Sequence, residues 1–299
     1  MITGAGRGIG REYALMLAGQ GAKIVVNDLG GDMTGEGEDA TPAQEVVAEI
    51  EALGGEAVAN GANVADFDAS AEMIQQAIDH FGRLDVLINN AGILRDRMLV
   101  NMAEGEWDAV IAVHLKGTFG PTRHAAAHWR QLVKAGETID ARIINTTSPS
   151  GIYGNAGQTN YGAAKAGIAA FTVITAIELE RYGVTANAIA PGAITRMTEN
   201  LGMGQLDEET KASMAPHWIA PIVTWLASPE SADVTGRVFQ VSGRGLAIAE
   251  GWHKGPEARA PEDPADVRDL VADLMSRARP NADMNGDDIE GPGRPARTI

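Results

Sequence analysis

Hydrophobic residues fall into two alternating patterns along this chain. Short runs rich in Ile, Val, Leu and Ala end in polar residues or glycine, and longer stretches carry apolar residues three or four positions apart. The first pattern is typical of buried parallel strands and the second of helices. Strands are predicted at 1–3, 22–27, 56–60, 84–88, 143–147, 184–190 and 237–241. Helices are predicted at 11–19, 42–53, 67–81, 103–133, 159–182 and 219–227.

This alternation predicts one α/β domain over residues 1–252. Its fold class is a single Rossmann-type, doubly wound parallel sheet with helices on both faces. The tail, residues 253–299, is expected to contain a short amphipathic helix at 264–277 with Asp263 as a candidate N-cap. We expect the tail to be disordered over 280–299, and the segment 200–216 to be mobile.

The predicted helix at 159–182 is apolar nearly all the way round. Ile168, Phe171, Val173 and Ile174 lie on different sides of it. A helix that is apolar on every side must be covered on every side. We therefore expect one side to lie on the sheet and the other to contact a second subunit, in a homodimer or homotetramer.

Composition and charge narrow the function. The chain has 299 residues, a formal net charge of −16 and no cysteine. The charge disfavours nucleic acids and anionic membranes as partners. The lack of cysteine excludes disulfides, thiolate catalysis and Cys-ligated metal sites, and no metal site is predicted. We identify neither an apolar run of membrane length nor a signal peptide, so a cytoplasmic location is the default expectation.

The candidate chemistry centres on Tyr161 and Lys165. Their four-residue spacing places both side chains on one face of a helix, and Ser148 lies thirteen residues before the tyrosine, just past a predicted strand. A free phenol has a pKa of about 10, and a nearby ammonium favours the phenolate. A phenol, an ammonium and a hydroxyl together suit hydride transfer to and from a carbonyl. The alternative is a chance meeting of two side chains on an ordinary helix.

A glycine-rich loop follows the first predicted strand. Gly4, Gly8 and Gly10 stand where glycines allow a backbone to turn tightly and approach a pyrophosphate at a helix N-terminus. Asp28 ends the second predicted strand, where an acid can hold the adenosine ribose hydroxyls. A plain glycine turn and a loop carboxylate are the simpler interpretations. However, Asn90, Ser148 and Pro191 also follow strand ends, and agreement between independent features favours a ligand site.

Over residues 1–245 the chain resembles the short-chain dehydrogenase/reductase family. The matching motifs are the glycine loop Thr3–Gly10, Asn89-Asn90-Ala91-Gly92, Ser148, Tyr161-x-x-x-Lys165 and Pro191-Gly192. Several stretches, among them 27–32, 91–97 and 150–155, are similar to the (3R)-hydroxyacyl-CoA dehydrogenase domain of type 2 peroxisomal multifunctional enzymes. Because residues usual before the glycine loop are missing, we expect the true start to lie upstream of Met1, or the chain to be truncated.

The resemblance implies roles for individual residues. Tyr161 is the general acid/base, Lys165 lowers its pKa and binds the nicotinamide ribose, and Ser148 positions the substrate oxygen. His114 occupies a position where the wider family often has a catalytic Asn, either as a structural hydrogen-bonding residue or as a proton relay. The expected cofactor-binding residues are Gly4, Arg7, Gly8, Ile9, Gly10, Asp28, Asn63, Val64, Asn90, Ala91, Gly92, Tyr161, Lys165, Pro191, Gly192 and Ile194.

The expected activity is NAD-dependent interconversion of a secondary alcohol and a ketone. A 3-hydroxyacyl-CoA is the leading substrate, a hydroxysteroid is an alternative, and a non-catalytic dinucleotide sensor is a second class of protein. Asp28 favours NAD because it would repel a 2′-phosphate, although Arg7 could attract one. Apolar residues after Pro191-Gly192 are expected to form an adaptable substrate wall: Met197, Leu201, Met203, Leu206 and Met214.

Overall fold

The computed structural model describes residues 1–32, 34–194 and 207–289, and these residues form one eight-stranded sheet. In chain order the strands are β1 (Ile2–Thr3), β2 (Ile24–Asn27), β3 (Ala57–Asn60), β4 (Val86–Asn89), β5 (Ala141–Thr146), β6 (Val184–Pro191), β7 (Val238–Ser242) and β8 (Gly245–Ile248). The sheet order is β3-β2-β1-β4-β5-β6-β7-β8. Every neighbouring pair is parallel except β7 and β8.

Helices connect the parallel strands. They are α1 (Gly8–Gly19), α2 (Thr41–Ala52), α3 (Phe67–Phe81), α4 (Glu104–Ile111), α5 (Gly117–Lys134), α6 (Pro149–Ile152), α7 (Thr159–Leu179), α8 (Glu208–Ser213), α9 (Ala220–Leu226) and α10 (Val267–Arg277). The strand order reverses between β1 and β4, which is the switch point at which such sheets bind ligands. The predicted Rossmann-type doubly wound fold is therefore confirmed.

Successive residues of the inner strands pack on opposite faces of the sheet. Ile24 and Val26 belong to a core shared with α1, α2 and α9, while Val25 belongs to a core shared with α3, α5 and α7. Likewise, Ile144 belongs to the first of these cores and Ile143 to the second. Because both faces are covered by helices, the strands are almost continuously apolar, as parallel strands require.

The strand pattern differs from prediction at one edge. The run at 237–241 was expected to be the last strand, but the chain turns at Gly243-Arg244 and returns as antiparallel β8, with Ser242 opposite Gly245. All four β8 residues are exposed. A short strand with no buried face gives little hydrophobic signal, which explains why the sequence pattern did not predict it.

The predicted helix at 103–133 is interrupted in the structure. The chain forms α4, then one π-helical turn at Ala112–Lys116, and then α5. π-Helical turns inside α-helices are rare and are frequently found at functional sites. This turn places His114 in the protein interior, at 1% exposure.

Helix α7 has two different apolar sides. Ile168 is buried, while Val173, Ile174 and Ile177 are 41%, 55% and 71% exposed. Contrary to the sequence analysis, one segment of the described chain, Thr159–Tyr182, is long and apolar enough to cross a membrane by length and composition. This helix packs on β5 and β6 and belongs to the fold.

The segments expected to be irregular contain regular structure where they are described. Of the segment 200–216, residues 207–216 include α8, and the remainder lies outside the described residues. The predicted tail helix forms as a 3₁₀ turn at Pro264–Asp266 followed by α10, and the Asp263 carboxylate accepts from the Ala265 N–H at 2.9 Å. Of the segment 280–299 expected to be disordered, residues 282–288 close a turn through an Ala282–Asp288 bridge, and 290–299 lie outside the described residues.

Candidate active site

One cleft runs along the carboxyl ends of the parallel strands. Its lining includes fourteen of the residues predicted from the sequence: Gly4, Arg7, Gly8, Ile9, Asp28, Asn63, Val64, Asn90, Ala91, Gly92, His114, Tyr161, Lys165 and Pro191. Residues far apart in the sequence therefore meet at the switch point of the sheet. This is the arrangement expected of a site for an extended ligand.

The glycine loop leaves room for a phosphate at the start of α1. Gly4 and Gly8 have positive φ angles of 62° and 53°, a conformation that favours glycine. A Cβ added to Gly4 would lie 2.7 Å from the Ala91 Cα, so a side chain there would clash. Arg7 precedes α1 with extended backbone and makes no side-chain cap hydrogen bond. The first N–H groups of the helix can therefore donate hydrogen bonds to an anionic ligand.

Asp28 ties the glycine loop to the end of β2. Its Oδ2 accepts a hydrogen bond from the Gly6 N–H at 2.8 Å, and its Oδ1 accepts one from the Gly30 N–H at 2.7 Å. The carboxylate therefore has a fixed position at the rim of the cleft. It can still accept further hydrogen bonds, because each carboxylate oxygen has two lone pairs.

Asn90 has a role inside the protein that the sequence did not indicate. Its side-chain nitrogen donates to the carbonyl oxygens of Thr3 and Gly4, at 3.1 and 3.0 Å. The Thr3 hydroxyl in turn accepts from the N–H groups of Asn90 and Ala91. These bonds fasten the end of β4 to the glycine loop, so Asn90 shapes the cleft through backbone placement.

Tyr161 and Lys165 line the cleft, and Ser148 lies next to Tyr161 without lining the cleft itself. Tyr161 and Lys165 lie one turn apart on α7, with the lysine Nζ 5.4 Å from the centre of the phenol ring. The Lys165 Nζ also donates to the Thr146 carbonyl oxygen at 2.6 Å. The Ser148 hydroxyl accepts from the Ser150 N–H at 3.2 Å, and it acts to lower the pKa of Tyr161. The predicted spacing thus produces the predicted cluster.

Burial is the largest cause of the shifted pKa values of Tyr161 and Lys165. Part of the Tyr161 ring faces the cleft, but the surrounding protein desolvates the phenolate and raises the pKa of Tyr161 to about 12. The Ser148 hydrogen bond opposes this shift and the Asp96 charge adds to it. Burial also lowers the pKa of Lys165 to about 7. That Lys165 lowers the pKa of Tyr161, as the resemblance implies, stays a prediction.

His114 lies directly against Tyr161. Its ring meets the Tyr161 ring edge-on at 5.1 Å, and its Nε2 lies 3.1 Å from the Ile93 nitrogen and 2.8 Å from the Ile93 oxygen. Burial, followed by the Lys165 charge, lowers the pKa of His114 well below its ordinary value, so the ring is neutral near pH 7. A Cβ on Gly92 would overlap the imidazole, so this glycine is needed for the contact.

Four predicted residues do not line the cleft: Ser148, Gly10, Gly192 and Ile194. Gly10 packs against the Gly4 carbonyl, and Gly192 donates to the Val241 oxygen beside Ser242. Ile194 donates to the Met214 carbonyl at 2.6 Å.

Two residues that sequence reasoning missed are Thr146, whose oxygen holds Lys165, and Asn160, whose Oδ1 accepts from the Tyr161 N–H at 2.7 Å. Neither stands in a motif, and only its position in the fold identifies it.

The fold and the cleft define a nicotinamide-dependent oxidoreductase acting on CH–OH groups. The glycine cradle at the N-terminus of α1 and the Asp28 carboxylate fit the pyrophosphate and ribose of a dinucleotide. The short chain dehydrogenase family model matches residues 1–205. The chain therefore belongs to the short-chain dehydrogenase/reductase family, as the sequence motifs predicted.

Individual relatives cover nearly the whole chain. The hydroxyacyl-CoA dehydrogenase ChsB1 of Mycobacterium tuberculosis is 40% identical over 97% of this chain and 92% of its own length. Mouse peroxisomal multifunctional enzyme type 2 is 41% identical over 94% of this chain, which spans only 37% of that enzyme. A short chain dehydrogenase from Mycobacterium avium has a crystal structure with a TM-score of 0.85, at 51% identity and 97% coverage of both chains.

Proposed function

We propose that the protein oxidises the 3-hydroxyl group of a hydroxyacyl-CoA with NAD, and catalyses the reverse reduction. The observation that carries the proposal is the cluster of Tyr161, Lys165 and Ser148. There Tyr161 lies beside Lys165, whose Nζ is 5.4 Å from the centre of the phenol ring, and Ser148 acts to lower the pKa of the phenol. A proton donor, a cation and a second hydroxyl in one buried place can hold an alcohol oxygen and exchange its proton.

The residues divide the proton chemistry between them. In oxidation the phenolate of Tyr161 takes the proton of the substrate hydroxyl while the carbon–oxygen double bond forms. Ser148 hydrogen-bonds the substrate oxygen and keeps it within reach of the tyrosine. A bound nicotinamide ring supplies the hydride acceptor, and in reduction the donor. Since the pKa of Tyr161 is about 12, the phenol predominates near neutrality and is ready to protonate a ketone oxygen.

Preference for NAD is supported by the fixed position of Asp28. The Gly6 and Gly30 N–H groups hold its carboxylate at the rim of the cleft. A 2′-phosphate there would meet a second anion, and repulsion of this kind commonly decides between similar ligands. Arg7 also lines the cleft, but the residues that follow Asp28 are Leu29, Gly30 and Gly31, with no cation among them.

The substrate class is supported by the relatives. Their names include a hydroxyacyl-CoA dehydrogenase from M. tuberculosis. Of the predicted apolar wall, Met214 follows α8 and its carbonyl oxygen accepts from Ile194, while the other four members lie outside the described residues. A thioester with an acyl chain suits an adaptable apolar wall near the reacting carbon.

Subunit association and location complete the proposal. The exposed Val173, Ile174 and Ile177 on α7 would bury apolar surface against a second copy, giving a homodimer or homotetramer. A cytoplasmic location remains part of the proposal, although several relatives are peroxisomal enzymes. Fractionation of cells that express the protein tests the location.

A substrate panel tests the proposed activity. We expect kcat/KM to be highest for 3-hydroxyacyl-CoA thioesters of medium or long chain with NAD. The panel also includes the free hydroxy acids, short alcohols, a 3-hydroxysteroid and NADP. A clear preference for a short polar alcohol would contradict the acyl-CoA assignment, and a preference for the steroid would establish the alternative.

A further inference from the structure

Asp96 is a carboxylate beside the active site with no role in the mechanism above. It comes shortly after Ile93 and Leu94, which line the cleft. Its Oδ2 accepts a 2.7 Å hydrogen bond from Nε2 of Gln158, and its Oδ1 is buried with no partner in the described part of the chain. Burial raises the pKa of this carboxyl above its ordinary value. A buried acceptor that lacks a partner is costly, and such groups call for an explanation.

Gln158 connects Asp96 to the serine loop, residues 148–158. Because its amide nitrogen donates to Asp96, its Oε1 faces the loop and accepts from the Ser150 hydroxyl at 2.7 Å. The Ser150 N–H donates in turn to the Ser148 hydroxyl at 3.2 Å. A chain of three hydrogen bonds therefore runs from Asp96 to the hydroxyl that faces Tyr161.

The backbone around Asp96 is joined to the start of α7. The Arg97 N–H donates to the Gly157 carbonyl at 2.8 Å, and Gln158 immediately precedes the helix. The Arg95 carbonyl accepts from the Asn160 side chain at 2.9 Å, directly before Tyr161. The segment that carries Asp96 thus contacts both the serine loop and the tyrosine helix.

The charge of Asp96 also acts on the active site. After burial, the negative charge of its carboxylate adds to the raised pKa of Tyr161. The other titratable groups facing Tyr161 in the described chain are His114 on the π-helical turn and Lys165 on α7. The charged groups on the adjoining elements pair elsewhere: Arg95 with Glu36, and Arg97 with Glu106.

We propose that Asp96 is a positioning residue for hydride transfer: through Gln158 and Ser150 it holds the Ser148 hydroxyl in place beside Tyr161. Asp96 holds the nitrogen of the Gln158 amide, while its oxygen accepts from Ser150 and, at 3.0 Å, from the Asn155 side chain. Without an acceptor at position 96 the amide nitrogen loses its partner, and the oxygen is held in place less firmly. Small displacements of a catalytic group are expensive, because the reacting atoms must be held at near-contact distance. The proposal rests on the proposed function only for its activity readout.

The test exchanges the carboxylate at position 96 and the amide at position 158. Asp96→Ala and Gln158→Glu break the chain of hydrogen bonds, the second by setting two carboxylates face to face. Each should lower kcat at least about 10-fold while the Kd for the cofactor changes less than about twofold. In the double variant D96N/Q158E the amide at position 96 donates to the carboxylate at 158, whose second oxygen can still accept from Ser150. We expect kcat to return to within about threefold of wild type, as coupled residues require.

Asp96→Asn tests the charge of the side chain separately from its hydrogen bond to Gln158. It keeps an acceptor for Gln158 but removes the charge that disfavours the phenolate, so kcat should remain near wild type. The rising limb of the oxidation rate against pH should move to lower pH, because the phenolate forms more readily. Asp108→Ala, at an exposed carboxylate on α4, is the matched control and should change neither quantity.

Several results would overturn the proposal. Folded Asp96→Ala and Gln158→Glu proteins with wild-type kcat would do so, as would a double variant that recovers nothing. If Asp96→Ala does not fold, Gln158→Glu and the double variant decide by the same criteria. An unmoved pH limb in Asp96→Asn would refute the effect of charge. Since each variant is compared with wild type on one substrate, any alcohol that the enzyme oxidises will serve, even if the acyl-CoA assignment fails.

Discussion

At the scale of single residues, the site is governed by the cost of burying charge. Lys165 is 3% exposed and its ammonium has one carbonyl partner, from Thr146. Its pKa falls from 10.5 to about 7 because the neutral amine is easier to bury. Tyr161 moves in the opposite direction for the same reason, since its charged form is the phenolate. Burial thus favours the neutral form of both side chains.

Replacing Lys165 by methionine is expected to stabilise the protein and remove its activity. The unfolded lysine is charged below pH 10.5, whereas the folded one resists charging down to about pH 7. Its burial therefore costs stability in full below about pH 7, and the cost fades as the pH rises towards 10.5. We expect Lys165→Met to raise the melting temperature by at least about 3 °C at pH 7, and by less at pH 10.

Thermal unfolding at the two pH values checks this prediction, with Lys134→Met as the control. Lys134 is an exposed lysine at the end of α5, and its replacement should leave the melting temperature unchanged. A Lys165→Met protein that is less stable than wild type at pH 7 would show that the Thr146 hydrogen bond outweighs the cost of burial.

Asp28→Ala is expected to reduce the preference for NAD over NADP. The change removes the anion that opposes a 2′-phosphate, and it also releases the Gly6 and Gly30 N–H groups that Asp28 holds. The ratio of kcat/KM for NAD over NADP should fall at least about 10-fold, because NAD binding weakens while NADP is admitted. Glu38→Ala, at an exposed carboxylate of the same loop, is the control. An unchanged ratio would point to Arg7 as the determinant.

The sequence predicts some active-site residues far better than others. Tyr161 and Lys165 are visible because one helical turn separates them, and Ser148 because it follows a strand end. Asp96 and Gln158 lie more than sixty residues apart, and their 2.7 Å hydrogen bond exists only because the chain folds β4 next to β5. The spacing of these two residues carries no periodic signal, so only the tertiary structure brings them into the account.

At the scale of elements, strands and helices with a buried face were predictable and the interruptions were not. The core strands are read from their β-branched runs, whereas β8 has no buried residue and the π-helical turn at Ala112–Lys116 has the same composition as a helix. The turn is stabilised by tertiary contacts of His114 with Ile93 and Tyr161. Such contacts override local propensity.

The tail beyond Gly255 is expected to be dispensable for chemistry. Its helix α10 has no buried residue, and the tail makes only light contact with the rest of the described domain. The Asn285 oxygen lies 3.5 Å from the Gln240 side chain, and Gly286 lies against the Tyr153 hydroxyl. Deletion after Gly255 should leave kcat within about threefold of wild type, as for other changes away from a core. Steady-state kinetics checks this, and loss of activity in a folded truncated protein would place the tail in the site.

At the scale of the whole molecule, the exposed side of α7 favours association. This helix carries both Tyr161 and Lys165, the proposed catalytic pair, and an apolar strip of Val173, Ile174 and Ile177. If a second subunit packed on this strip, α7 would be in contact with protein on both sides. Catalysis and assembly would then depend on the same element, which explains why a helix in contact with the active site carries an exposed apolar face.

Ile177→Asp is expected to dissociate the oligomer. The residue is 71% exposed in the single chain, and a charge in the centre of an apolar contact leaves a buried group without a partner. Sedimentation should show the monomer for this variant and a dimer or tetramer for wild type. Val100→Asp, at a 90% exposed apolar residue outside the strip, should not change the mass. Equal masses for Ile177→Asp and wild type would remove α7 from the interface.

The central claim is that Tyr161 exchanges the substrate proton during hydride transfer. Its most direct test is the absorbance of reduced nicotinamide after wild type or Tyr161→Phe is mixed with NAD and a 3-hydroxyacyl-CoA. Wild type should form reduced cofactor steadily. Tyr161→Phe should be slower by at least about 10²-fold while it binds NAD with an unchanged Kd, because the ring remains and only the hydroxyl is lost. Near-wild-type turnover in Tyr161→Phe would contradict the account.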